Sequence, residues 1–281
     1  MFIDTFLKYL RFERNYSEKT IVSYRIDLEE FEDYLKKVDA EKNLVTADAD
    51  LVRSWMVYLM EKGRSVATVN RKLSSLRSFY RFLLRRRVVD LDPMLKVVGP
   101  KKQKTLPSFL RVQEMDRLLD ECSVNEGFEG VRDRLILEMF YATGMRLSEL
   151  IGLSDADVDL SAKLLKVTGK RNKQRLIPFG EELWMDLLGY IKLRNETLPD
   201  RDDALFVRKD GKRMYPELVY KIVRRNLSKV ATLKKRSPHV LRHTFATAML
   251  NGSAELQAVK ELLGHESLAT TEIYTHTTFE E

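Results

Sequence analysis

Cysteine is almost absent from this chain. Cys122 is the only one among 281 residues, which excludes an internal disulfide framework and fits a reducing cytoplasm. No apolar run approaches the roughly 20 residues that a membrane-spanning helix needs. The opening MFIDTFLKYLRFERNYSEKT is amphipathic and charged on both sides, unlike a secretory signal. Histidine is scarce, and all four (His239, His243, His265, His276) crowd into the stretch from Ser237 to Thr277. Two long segments lack acidic residues. Between Lys62 and Val89 there are nine basic side chains and no carboxylate, and between Leu218 and Ala254 there are eight and none. Internal repeats and low-complexity segments are also missing.

What is present is the composition of one or two globular domains, 44% hydrophobic. A net charge of +7 and a pI of about 9.3 favour an anionic partner. Residues 1–98 read as an all-helical module. Phe2, Phe6, Tyr9 and Leu10 mark a first helix. Ser17 opens a second, with an apolar stripe at Ile21, Tyr24, Leu28, Phe31 and Leu35. A third spans Asp50 to Met60 and stops near Gly63; a fourth starts near Ser65 and buries Val69, Leu73, Leu76 and Tyr80. Solvated helix faces usually mix charge signs, so this unbroken basic helix points to a sugar-phosphate backbone. Its candidate contacts are Arg71, Lys72, Arg77 and Arg81. Residues 99–107, GPKKQKTLP, form a basic proline-containing linker that adds Lys101 and Lys102.

The second domain is expected over 108–281. RVQEMDRLLDEC and VRDRLILEMFYATGM are helical by period, the latter closing at Thr143-Gly144, and Arg146 to Leu150 continue as a short helical run. The period then changes. Residues 163–168 and 175–178 read as two strands of a hairpin with Lys170 at its tip. Helices resume at Glu181 to Lys192 and Glu217 to Val230. Ser237-Pro238 opens another, Asn251-Gly252 stops it, and Leu256, Val259, Leu262 and Leu263 form a last stripe before Gly264.

His239 and Arg242 are three apart and share a helix face. Arginine grips phosphate through a planar fork that keeps its charge, histidine moves protons near neutral pH, and a tyrosine such as Tyr274 can attack phosphorus. His239 and His243 have metal-ligand spacing, but HVLRH lacks the zincin glutamate and carries an arginine between its histidines. At this point a phosphodiester site and a set of ordinary structural side chains both remain open.

Four segments in order, ATGMRLSELIGL, TGKRNKQRLIPFG, SPHVLRHTFAT and LLGHESLATTEIYTHT, resemble the tyrosine recombinase (phage-integrase) family, nearest the Xer-type site-specific recombinases. The resemblance extends over nearly the whole chain. It implies a mainly α fold, with an N-terminal four-helix, SAM-like core-binding domain. A mixed α/β, mostly helical catalytic domain with a small antiparallel β-sheet follows. It also implies a catalytic set: Arg146, Lys170, His239, Arg242, His265 and Tyr274. Arg146 and Arg242 would hold the scissile phosphate, and Tyr274 would form a 3′-phosphotyrosyl link. Lys170 would protonate the 5′ oxygen, His239 would manage the tyrosine proton, and His265 would hydrogen-bond the phosphate. No metal, cofactor or ATP is implied. Glu149 would support an arginine, His243 would be structural and His276 superficial. Lys173 and Arg175 would touch DNA or balance charge.

Two departures from the family pattern stand out. The hairpin reads GKRNKQR where relatives commonly have GKGNKER, and seven residues follow Tyr274 where relatives generally continue into a docking helix; a truncated chain is the expectation. The implied partners are a double-stranded recombination site, three further protomers (identical or from a paralogue) and a septal DNA translocase. Within the cytoplasm the nucleoid would be its place. Chromosome dimer resolution is favoured over integration or inversion of a mobile element, because the chain starts directly at the core-binding module. A monomeric type IB topoisomerase-like activity, a non-catalytic DNA-binding protein on this scaffold and a metal-dependent nuclease are the weaker readings.

Overall fold

The computed structural model describes residues 2–102, 108–123, 127–169, 172–230, 233, 235–264 and 271. It divides into two compact units, Met1–Lys104 and Thr105–Glu281. Among the described residues no helix is long and apolar enough to cross a membrane.

The first unit holds four helices, α1 (Phe2–Phe12), α2 (Glu18–Val38), α3 (Ala49–Glu61) and α4 (Val66–Arg85), then a 3-10 turn over Pro93–Lys96. Side chains set three of the starts. Ser17 accepts from the Thr20 N–H, Asp48 from those of Asp50 and Leu51, and Ser65 from that of Thr68, each satisfying a donor the helix leaves open. Phe6, Leu28, Phe31, Trp55, Leu76, Phe79 and Tyr80 fill the core. Gly63, at φ 73°, makes the turn between α3 and α4. The third helix begins one residue before the expected Asp50.

The second unit begins with α5 (Val112–Ser123), α6 (Phe128–Thr143) and α7 (Leu147–Gly152). An antiparallel sheet of order β1-β2-β3 follows (Val158–Asp159, Leu164–Thr168, Gln174–Pro178), then α8 (Glu181–Thr197), α9 (Pro216–Val230), α10 (Pro238–Asn251) and α11 (Leu256–Leu263). Helix α6 is buried through Leu135, Ile136, Leu137, Met139 and Phe140, and it packs against α5, α8 and α10. The fold is mainly α with one small sheet, as the sequence indicates. Three details differ. The two-residue strand β1 is too short to leave a periodic signal. Helix α8 runs five residues past Lys192, because Tyr190 and Arg194 face the core. Lys163 stands at φ 52°, so it closes the turn before β2 instead of starting the strand.

Helix α11 has eight residues, too few to be stable alone. It docks on α10 through a small apolar cluster of Phe245, Ala246, Val259 and Leu263.

Candidate active site

The site forms where α6 ends, α7 begins and α11 ends. Gly144 caps α6 at φ 58°. A Cβ there would stand 2.3 Å from Phe245 Cδ1 and 2.9 Å from Leu263 Cδ2, so both conformation and space demand glycine. The turn delivers Arg146 to the N-terminus of α7, where the Glu149 carboxylate lies beneath it. Glu149 Oε2 accepts from the Arg146 backbone N–H at 2.7 Å, and Oε1 accepts from Arg146 Nη1 at 2.8 Å. Arg175, on β3, grips the same carboxylate from the other side, Nη1 to Oε1 at 2.7 Å and Nη2 to Oε2 at 3.0 Å.

The Glu149 side chain is fully buried. Burial alone would push its pKa up. The Arg175 hydrogen bonds, the Arg146 backbone N–H and the two guanidinium charges outweigh it and hold the carboxyl at about 2. It is therefore a fixed anion at every working pH.

The end of α11 is held by three arginines from three elements. Arg175 Nε donates to Leu262 O at 2.8 Å, Arg242 Nη2 to Leu263 O at 2.6 Å, and Arg146 Nη2 to Gly264 O at 2.8 Å. Arg242 also donates to Gly144 O. Three successive carbonyls at the negative end of a helix thus each take a cationic donor. Gly264, at φ 64°, turns the chain so that these carbonyls present themselves together. Arg146 and Arg242 are brought together because their acceptors are adjacent residues.

His239 and Arg242 lie on α10, which starts with Ser237 extended and Pro238 in its first turn. His239 is exposed, yet crowding by its neighbours, then the charges of Arg242 and Arg146, lower its pKa, which favours the neutral ring that can accept a proton. His243 is pushed down to about 4, first by burial and then by His239 and Arg242. That suits a neutral structural residue.

Lys170, His265, Tyr274 and His276 lie outside the described residues. Next to Lys170, Gly169 donates to Lys173 O at 2.7 Å, and a Cβ on it would stand 2.9 Å from Glu149 Oε1. The hairpin therefore rests directly on the buried carboxylate. Gly169 and Arg175 are the members of the site that sequence reasoning undervalued. For Arg175 the charge-balancing role holds, since its three nitrogens are committed to Glu149 and Leu262.

The basic helix α4 requires a correction. Lys72 is not a nucleic-acid contact: it is buried, and its Nζ donates to Asp27 at 2.9 Å and Glu30 at 2.7 Å. Its acids come from α2, forty-odd residues earlier, which is why α4 looks one-signed in sequence. Arg71 pairs with both oxygens of Asp27 yet stays 46% exposed. Arg77 spends Nη2 on Val97 O. Arg81, Lys101 and Lys102 are exposed. Arg77 and Arg81 line a cavity of about 330 Å³ with Arg14, Arg85, Tyr9 and Tyr24.

The model of the phage integrase family matches residues 108–281, and that of the phage integrase N-terminal SAM-like domain matches residues 3–87. The chain belongs to the phage integrase family. Tyrosine recombinase XerC of Chlorobaculum tepidum is 39% identical to it, over 98% of this chain and 89% of the relative. Tyrosine recombinase XerD of Oceanobacillus iheyensis is 38% identical, over 98% and 93%. The crystal structure of the XerH site-specific recombinase bound to a palindromic difH substrate, a post-cleavage complex, superposes with a TM-score of 0.80 at 25% identity. It covers 99% of this chain and 82% of that one. This family member is a site-specific tyrosine recombinase, an enzyme of DNA breakage and rejoining.

Proposed function

We propose that the recombinase works on a double-stranded chromosomal site in the manner of the Xer enzymes, resolving chromosome dimers. Arg146 and Arg242 hold the non-bridging oxygens of the scissile phosphate and offset the charge that develops at the pentacoordinate phosphorus. Tyr274 attacks and becomes linked to the 3′ phosphate, and Lys170 gives the departing 5′ oxygen its proton. His239 takes the tyrosine proton, and His265 hydrogen-bonds the phosphate. Bond energy stays in the phosphotyrosyl link, so rejoining needs no ATP. Two arginines and a lysine supply the charge that a metal provides in other phosphoryl-transfer sites.

The observation that carries this reading is the pair of arginines anchored on adjacent carbonyls, Leu263 O and Gly264 O. Of the five N–H groups of Arg146, two are spent on Glu149 and Gly264. Its side chain is 30% exposed, which leaves donors for a phosphate. Basic residues of the first unit (Arg71, Arg77, Arg81, Lys101 and Lys102) contact the duplex backbone. Four protomers, identical or shared with a paralogue, exchange strands through a Holliday junction in the cytoplasm, on the nucleoid, under a septal DNA translocase. We place the domain limits at 1–98 and 108–281, with the basic linker between.

The test is a suicide duplex, carrying the host's resolution site and nicked beside the cleavage position, incubated in EDTA. Wild type should give a covalent protein–DNA band and Tyr274→Phe none. Cleavage by Tyr274→Phe would sink the mechanism. Covalent product on a mobile-element end, with none on the chromosomal site, would move the enzyme to the integrases.

A further inference from the structure

Arg175 differs from the two arginines assigned to the phosphate. Its Nε, Nη1 and Nη2 are all bonded within the protein, and its side chain is 16% exposed. Three of its five N–H groups are thus spent inside the protein, against two for Arg146, and it is the more enclosed of the two. Its three bonds tie together the two things that orient Arg146 and Arg242. One is Glu149, which takes both the backbone and the side chain of Arg146. The other is Leu262 O, whose next two carbonyls hold Arg242 and Arg146. The register of the hairpin, with Arg175 opposite Val167, sets where that guanidinium stands.

We infer that Arg175 is a positioning residue of the recombination reaction: it touches no substrate, but through Glu149 and the end of α11 it sets where the two phosphate-holding arginines stand. This rests on the roles proposed above for Arg146 and Arg242. A carboxylate gripped from one side only would swing with Arg146; gripped from both, it is a fixed post. Lysine cannot replace the fork, because its ammonium is a point charge without the planar, three-way geometry.

The suicide duplex, wild type, Arg175→Gln, Arg175→Lys, Glu149→Gln and the double Glu149→Gln/Arg175→Gln variant test this. Arg175→Gln should bind the duplex within about threefold of wild type and cleave it about 100-fold more slowly in a single turnover, the scale of a misplacement of about 1 Å. Arg175→Lys should recover little of that loss. The double variant should be no slower than the slower single one, because both changes act through one route. A duplex with sulfur in place of the bridging 5′ oxygen separates the remaining alternative. Sulfur departs without a proton, so it relieves a defect in leaving-group protonation and leaves a defect in holding the phosphate untouched. The Arg175→Gln deficit relative to wild type should persist on it.

Loss of binding in place of rate, deficits that multiply in the double variant, or a deficit that vanishes with sulfur would each overturn the inference. Melting curves accompany every variant. If Arg175→Gln is unfolded, folded Arg175→Lys carries the same comparisons, and wild-type cleavage by it overturns the inference too. Absence of covalent product from wild type itself would strike at the proposed function, not at Arg175.

Discussion

Each unit of the recombinase contains a buried carboxylate clasped by two cations. In the first unit Asp27 on α2 binds Arg71 and Lys72 of α4; in the second Glu149 on α7 binds Arg146 and Arg175. Both clusters pair one enclosed cation, Lys72 or Arg175, with one that stays partly open, Arg71 or Arg146. The difference lies in the open partner. Arg146 has a second anchor on Gly264 O, whereas the side-chain bonds of Arg71 all go to Asp27. A guanidinium pinned at one edge can follow a flexible backbone, and one pinned at two edges keeps a fixed direction. The first arrangement suits a duplex contact that adapts, the second a transition state that must be met in place.

Removing each post should break the comparison most clearly. Asp27→Ala leaves Lys72 buried with Glu30 as its remaining acid and should cost about 3–5 kcal/mol, read as a lowered urea midpoint, while cleavage per folded molecule is unchanged. Glu149→Ala should cost a similar amount of stability and slow single-turnover cleavage about 100-fold besides. Equal slowing by Asp27→Ala would erase the distinction.

Acid comes next. The Glu149 pKa is depressed from 4.5 to about 2, so the unfolded chain binds the extra proton and stability is lost as pH falls. The contribution is fully present above about pH 4.5 and declines toward pH 2, on the order of 3 kcal/mol in all. Trp184 lies in the second unit and Trp55 in the first. In a Trp55→Phe background, Trp184 fluorescence should show Glu149→Gln less stable than the parent above pH 4.5, the gap closing as pH drops.

Two of the left-handed glycines, Gly144 and Gly63, give a smaller contrast. Gly144→Ala meets Phe245 and Leu263 and should cost about 2–3 kcal/mol. Gly63→Ala meets nothing within 4 Å and should cost about 1 kcal/mol, from backbone conformation alone. Thermal melts of the two variants compare them directly.

The smallest effect concerns salt. Arg71→Ala should lower the slope of log binding constant against log salt by about one, and Lys72→Met should leave it unchanged. Equal slopes for both variants would mean that Arg71, too, is spent inside the protein.

These clusters also mark where the sequence could and could not be read. Helices α1 to α4 were legible because apolar period and capping side chains are local, and the Arg146–Glu149 pairing was within reach because the two are three apart on one helix. The pairing of Arg175 with Glu149 spans 26 residues, and that of Lys72 with Asp27 spans 45. Neither leaves a mark in the spacing of neighbours. A run without acids therefore looked like an open basic face when its carboxylates were supplied by another helix. Gly144 was legible as a helix end, but the crowding around it and around Gly169 was not, for a related reason. Their meaning lies in which side chains crowd them, and only the folded chain decides that.

The grip on the last turn of α11 has a consequence for synthesis. The carbonyls of Leu262, Leu263 and Gly264 are reached from Arg175, Arg242 and Arg146, across 87, 21 and 118 residues. A chain still on the ribosome, with everything up to α10 emerged, carries Arg146 and Arg242 but lacks the carbonyls that aim them. Its first unit is complete earlier and can fold first. Arg146, Arg175 and Arg242 thus gain their shared anchor only once α11 has emerged, so the order of the residues along the chain sets when the cluster is completed.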